Sequence, residues 1–182
     1  MGAIISQCSL NVLQQAAENL KTGGLVAFPT ETVYGLAADA LRDEAVAKIY
    51  AAKGRPANHP LIVHVASAQG VQRFASHVPD FAQKLIDAFW PGPLTLILPR
   101  RPDMAAVAAG GQASVGLRCP SHPVAQAVLQ SAQALGVFGV AAPSANLFGR
   151  VSPTTAAHVA GEFGESLLVM DGGACEVGIE ST

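Results

Sequence analysis

Charge is scarce in this chain: 13% of its 182 residues are charged, with 11 lysines and arginines against 13 aspartates and glutamates and a formal net charge of −2. That balance argues against a protein that binds nucleic acid or an anionic membrane by bulk electrostatics, so any anion site has to be local. Aromatic residues, at 5%, are too few for a broad stacking surface. Cys8, Cys119 and Cys175 are odd in number, widely spaced and in no metal-like pairing. This excludes a disulfide framework and points to a reducing compartment, the cytoplasm by default, with no metal site expected. No apolar run approaches the roughly 18 residues of a membrane-spanning helix, and no basic segment precedes the apolar Ile4-Ile5, so neither a membrane span nor secretion is expected. Also absent are Gly-x-x-x-x-Gly-Lys-Ser/Thr, His-Glu-x-x-His and Gly-x-Ser-x-Gly. Phosphate would have to be held by something other than a Walker loop.

What the chain does have is 50% hydrophobic residues over a length that suits one domain, 1–182, with a sizeable core. Its organising stretch is Lys53-Gly-Arg-Pro-Ala-Asn-His-Pro60, a cationic turn leading into Leu61-Ile-Val-His-Val65. Gly54 lets the loop curve so that Lys53 and Arg55 can face one polyanion, while Pro56 and Pro60 stiffen it. The competing reading is a helix end, where two cations complement the dipole and Gly54 caps. Alternation in the following strand puts Ile62, His64 and Ala66 on one face and Leu61, Val63 and Val65 on the other. A lone strand histidine is most often a satisfied core residue.

Leu10, Leu13, Ala17 and Leu20 recur at helical spacing up to Gly23-Gly24, and Leu25–Phe28 reads as a buried strand breaking at Pro29. Thr30, Glu31 and Thr32 follow, either a capped turn or a polar cluster at a strand end. Asp43 starts a helix with Val46, Ile49 and Tyr50 buried, and this helix delivers Lys53 in a βαβ-like unit. A further helix carries Phe81, Leu85 and Phe89, and Trp90, read as a core plug, precedes a strand over 94–98. The Ala- and Gly-rich segment 105–113 reads as mobile. Ser114–Arg118 alternates as a strand, Ser121 and Pro123 open a helix closed by Gly136, and 137–141 and 167–170 read as strands. Thr154 is placed as the cap of a short helix holding His158, and the chain is expected to end within a strand. Open α/β sheets bind ligands at the carboxyl ends of their strands. On that rule Thr30, Lys53 with Arg55, Arg118, Ser144 with Asn146, Ser152 and Ser181 should converge on one hydroxyl-lined basic crevice. The ligand expected there is an anionic small molecule or a nucleotide.

Six motifs carry a closer resemblance: Pro29-Thr-Glu-Thr-Val-Tyr-Gly-Leu36, Lys53-Gly-Arg-Pro56 with Pro60–His64, Trp90-Pro-Gly-Pro-Leu-Thr95, Gly116-Leu-Arg-Cys-Pro120, Ala142-Pro-Ser-Ala-Asn146 and Ile179-Glu-Ser-Thr182. In this order, from about Gly24 to the last residue, the chain resembles the YrdC family, whose characterised members are threonylcarbamoyl-adenylate synthases. The resemblance implies an α/β fold, a twisted open mixed sheet with flanking helices and a large cationic cavity. It implies a reaction of L-threonine, bicarbonate or CO₂, and ATP with Mg²⁺, giving threonylcarbamoyl-AMP and pyrophosphate. Downstream tRNA-modification proteins would be the partners. Carried over by residue, Thr30, His64, Arg118, Ala142 and Ser181 would hold threonine. Lys53, Arg55, Ala57, Ser114, Ser144, Asn146 and Ser152 would serve ATP, with Lys53, Arg55 and Arg118 supplying the catalytic charge. Family members usually continue past Glu-Ser-Thr with a further strand and a nucleotide-contacting arginine. The resemblance therefore leaves open a chain truncated at its C-terminus or a short member, with part of the ATP site missing. Two other readings stand beside it. A binding module for tRNA or double-stranded RNA would read A-form backbone without catalysis, against which the low charge weighs. A hydrogenase-maturation carbamoyltransferase would be much longer and carry zinc-finger-like cysteines.

Overall fold

The computed structural model describes residues 4–164 and 166–182. The chain runs β1 (Ile4–Gln7), α1 (Leu10–Lys21), β2 (Val26–Pro29), β3 (Tyr34–Asp39), α2 (Asp43–Lys53), β4 (Ile62–His64), α3 (Val71–Phe74), α4 (Asp80–Phe89), β5 (Leu96–Pro99), β6 (Ser114–Arg118), α5 (Pro123–Ala134), β7 (Val140–Ala141), α6 (Ala156–Glu162) and β8 (Leu168–Asp171). Eight strands form one mixed sheet in the order β1-β8-β2-β3-β7-β4-β6-β5.

Local chemistry accounts for the helix ends. The Ser9 hydroxyl accepts from Val12 N and the Thr155 hydroxyl from His158 N, each satisfying a first-turn donor of α1 or α6. The cap of α6 is thus Thr155, one residue beyond the expected Thr154. At α5 the cap is the His122 ring, which accepts from Val124 N, and not Ser121, with Pro123 in the first turn as expected. Gly54 closes α2 at φ 63°, in the left-handed region that a side chain would strain.

Side-chain alternation then divides the core between the two sheet faces. One face buries Ala27, Leu36, Ala38, Leu61, Val63, Val65 and Leu117 against α2 and its neighbours. The other buries Val26, Phe28, Ala37 and Val140 beneath α1 and α5, with Ala66 packed on its edge. The assignment of Leu61, Val63 and Val65 to one side and Ala66 to the other therefore holds.

Several expectations are revised. The strand feeding α2 is β3, antiparallel to β2, so Val26–Pro29 and Tyr34–Asp39 form a hairpin closed by the 30–33 turn, and β2 is not the strand that leads into α2. The six residues of β3 are all buried, which removes the alternation that would have marked them. In α4 the helical period is right and the face is wrong: Ala82 and Ile86 are buried while Phe81 and Phe89 are 66% and 56% exposed. Segment 105–113 is packed, with Ala105, Ala108 and Ala109 buried and the Ala108 carbonyl accepting from Leu61 N ahead of β4. The last residues form no strand, although Thr182 exchanges backbone hydrogen bonds with Pro93 and Thr95. Trp90 packs on the core as expected and donates its indole N–H to Leu94 O at 2.7 Å. Among the described residues no helix is long and apolar enough to cross a membrane.

Candidate active site

Register places the site on the α1/α5 side of the sheet. His64 lies opposite Arg118 and Ile62 opposite Gly116 in the parallel β4–β6 pair, so all four share a face. Ala142 N donates to Ile62 O, and Gly35 bridges to Ser144, which brings the hairpin and the end of β7 alongside. Thr30, His64, Arg118, Ala142, Ser144 and Ser181 line one recess of about 80 Å³ with Thr32 and Glu180. The expected crevice at the strands' carboxyl ends is replaced by this recess on the sheet face. The reason is strand direction: β2 and β7 run opposite to β4 and β6, so their carboxyl ends lie at opposite edges.

Arg118 is 3% exposed and held from three sides. Its Nε donates to Gly92 O at 3.3 Å, Nη1 to Thr32 Oγ1 at 3.0 Å, and Nη2 to Glu31 Oε1. Gly92 has to be glycine, because a Cβ there would meet the Phe89 carbonyl at 2.3 Å. The second Glu31 oxygen accepts from Ser121 N at 2.9 Å and His122 N at 3.3 Å, where the chain enters α5. Burial by itself would raise the Glu31 carboxyl, but the Arg118 charge and these donors overcome it and hold the group below its ordinary value. A guanidinium has five N–H donors. Three are engaged, which leaves two for a ligand.

His64 sits beside this pair, 3% exposed. Burial, with the Arg118 charge adding to it, pushes the ring down to about 3, so it is neutral at pH 7. Its Nδ1 lies 3.2 Å from Ile62 O, which can only accept, so Nδ1 carries the proton and Nε2 keeps its lone pair. The Thr30 hydroxyl lines the recess but is committed to its turn: it donates to Val33 O at 2.7 Å and accepts from the amides of Thr32 and Val33.

The segment 177–182 roofs the recess. Val177 N donates to Glu31 O and Gly178 N to Thr32 O, Ser152 Oγ donates to Glu180, and the Ser181 and Thr95 hydroxyls share a bond of 2.7 Å. Ser181 and Ile62 also line an adjoining groove of about 270 Å³ with Pro60 and Ser114.

The residues expected to serve ATP are thus spread over adjoining surfaces, not gathered in one recess. Ser144 is in the recess, Ser114 in the groove, and Ser152 in an outer depression with Arg150 and His158. Asn146 is buried, its Nδ2 donating to Leu147 O and Arg150 O and its Oδ1 without a partner. Lys53 is 2% exposed, and its Nζ donates to the carbonyls of Ser144 and Asn146. Burial and the neighbouring Arg55 push its ammonium down to about 8, against a pull from Glu162. Arg55 is half-buried and donates to Pro60 O at 3.2 Å, and Ala57 is exposed on the same loop. Sequence reasoning did not assign Glu31, Thr32, Gly92 or Glu180 a place in the site. Glu31 and Thr32 sat in a visible polar cluster, whereas nothing local marked Gly92.

A recess on the face of the mixed sheet, floored by a buried arginine and a neutral histidine, thus brings together charged and hydroxyl side chains from distant parts of the chain. The chain belongs to the Sua5/YciO/YrdC family, described as "Telomere recombination", whose profile it matches over residues 18–182. It is 47% identical over 168 residues to the threonylcarbamoyl-AMP synthase of Pyrococcus abyssi, covering 92% of this chain and 48% of that protein. To the Bacillus subtilis threonylcarbamoyl-AMP synthase it is 46% identical over 172 residues, covering 93% of this chain and 49% of that protein. The chain therefore spans about half the length of these curated relatives. The crystal structure of P. abyssi Sua5 complexed with L-threonine superposes with a TM-score of 0.89 at 42% identity, covering 99% of this chain and 53% of that one.

Proposed function

We propose that this domain makes threonylcarbamoyl-AMP and pyrophosphate from L-threonine, bicarbonate or CO₂, and ATP. The observation that carries the reading is the convergence of Arg118, neutral His64 and the hydroxyls of Thr32, Ser144 and Ser181 on one small recess. The identity to synthases, and to a protein solved with L-threonine, supports the choice of amino acid.

The two free N–H groups of Arg118 take the threonine carboxylate as a charge-assisted pair. The lone pair on His64 Nε2 accepts from the threonine hydroxyl or ammonium. The amino acid would sit in the recess, and the nucleotide would enter by the groove that shares Ser181 with it. The amine adds to CO₂ with loss of a proton, or to bicarbonate with loss of water, and gives a carbamate. A carbamate oxygen then attacks the α-phosphorus, the bond to the β-phosphate oxygen breaks, and pyrophosphate leaves. The protein's task is to juxtapose two anions and offset their repulsion.

Lys53 spends two of its three donors on the 144–146 loop and gives its third, with its charge, to phosphate beside Arg55. Ser114, Ser144, Asn146, Ser152 and the backbone at Ala57 complete the nucleotide side. Among the described residues no group of three or more His, Cys, Asp or Glu could hold a metal. Mg²⁺ would arrive on the triphosphate, ligated mainly by its oxygens and water. The product would pass in the cytoplasm to proteins that modify the adenosine beside the anticodon of tRNAs. Nothing in the site favours the alternative, an RNA-binding module without catalysis.

The test is pyrophosphate release from ATP by this chain. Release should require both L-threonine and bicarbonate, and equal release without threonine would overturn the reading.

A further inference from the structure

We infer that Glu31 is a positioning residue for substrate binding, acting through Arg118 and coupling it to the roof of the recess. The inference rests on the synthase reading above, and it assigns a role to a residue that touches no ligand in that reading.

Three contacts carry it. One Glu31 oxygen holds Arg118 Nη2, and the pair is buried, at 4% side-chain exposure for Arg118 and 9% for Glu31. The other oxygen accepts from Ser121 N and His122 N, so the carboxylate is fixed to the chain entering α5 and cannot follow the guanidinium if it turns. The Glu31 carbonyl accepts from Val177 N, which ties the same residue to the 177–182 segment over the recess. A lone buried guanidinium with Thr32 and Gly92 as its only anchors could rotate about its last torsions. With Glu31 in place, the plane and the two free donors are set before ligand arrives, so that binding does not have to order them.

Asp39, the other carboxylate of the hairpin, accepts from Leu41 N within its own turn, so it cannot substitute for Glu31. The charge also matters. A buried arginine left without its carboxylate is costly to the fold.

The test measures L-threonine binding by calorimetry, without ATP, in the wild-type chain, Glu31→Gln, Glu31→Asp, Arg118→Ala and Glu31→Gln with Arg118→Ala. Glu31→Gln should weaken threonine binding roughly ten-fold or more, the size of one charge-assisted hydrogen bond. Glu31→Asp, which keeps the buried charge and so the fold while withdrawing the carboxylate by one methylene, should weaken it by less and carries the test if the glutamine variant does not fold. In the Arg118→Ala background, Glu31→Gln should add less than about two-fold, because a residue acting through Arg118 has nothing left to position. In steady-state assays the threonine KM should rise while kcat and the ATP KM stay within about three-fold, a split that a merely destabilised fold would not produce. Wild-type affinity in Glu31→Gln beside lost affinity in Arg118→Ala would overturn the positioning role alone. Fully additive losses in the double variant would do the same. No threonine binding by the wild-type chain would overturn the synthase reading and this inference together.

Discussion

Arg118 and Glu31 carry the site at the scale of single residues, and their pairing has a consequence in acid. The Glu31 carboxyl is held below its ordinary value of 4.5 in the fold. A lowered carboxylate contributes stability that is complete above the unfolded value and is lost as pH falls through the folded one. Breaking a buried pair by neutralising one partner costs on the order of 3–5 kcal/mol. The gap in unfolding free energy between wild type and Glu31→Gln, measured by urea titration, should therefore be widest above pH ~4.5 and should close toward lower pH. A gap that stays constant with pH would mean that the Glu31 charge is not what the fold uses. His64 and Arg118 were legible as residues, because strand alternation put the histidine on a definite face and left the arginine at a strand end. Their adjacency was not, since it depends on the β4–β6 register. Glu31 was visible only as one member of a polar cluster, and its partner lies 87 residues away, beyond the reach of any local pattern.

At the scale of elements, the loop after β7 depends on a helix far from it in sequence. Lys53, the last residue of α2, donates to Ser144 O and Asn146 O, and Ala145 N in turn reaches Tyr34 O at 2.8 Å in β3. Both readings of Lys53 were open from sequence, a helix-end charge or a phosphate ligand. The structure makes it the final residue of α2 and turns its side chain inward, so the helix end itself secures a loop of the site. Lys53→Met keeps the buried stem and removes the donors. Amide exchange at Ala145 should then speed up by roughly ten-fold or more, since a hydrogen bond to a charged group contributes about 1.5–3 kcal/mol. Exchange at Val26 and Ala37 in the β2–β3 hairpin should not change. Unaltered exchange at Ala145, read by NMR, would mean that the loop holds itself. The hairpin escaped detection for a physical reason: a strand buried on both faces has no period-two pattern, and its turn residues, Thr30 to Val33, resemble a polar strand end.

For the whole molecule, the α/β class and most helices were legible because the periodicity of α1, α2 and α5 is set by what each buries. The ligand crevice was misplaced because the rule for strand carboxyl ends assumes parallel strands, and here β3, β4 and β6 run against the other five strands. Even so, five residues that the resemblance gave to threonine, Thr30, His64, Arg118, Ala142 and Ser181, reach one recess from four strands or their ends and from the final segment. The faint net charge of −2 is consistent with such a site, since the arginine at its floor is already neutralised by Glu31.

The proposed joining of three substrates in this domain is read by isotopic labelling. With ¹³C-bicarbonate, L-threonine and Mg-ATP, mass spectrometry should find one labelled carbon in an adduct of threonine and AMP, formed in step with pyrophosphate. AMP and pyrophosphate accumulating without labelled adduct, or an adduct of threonine and AMP with no labelled carbon, would rule the proposed reaction out.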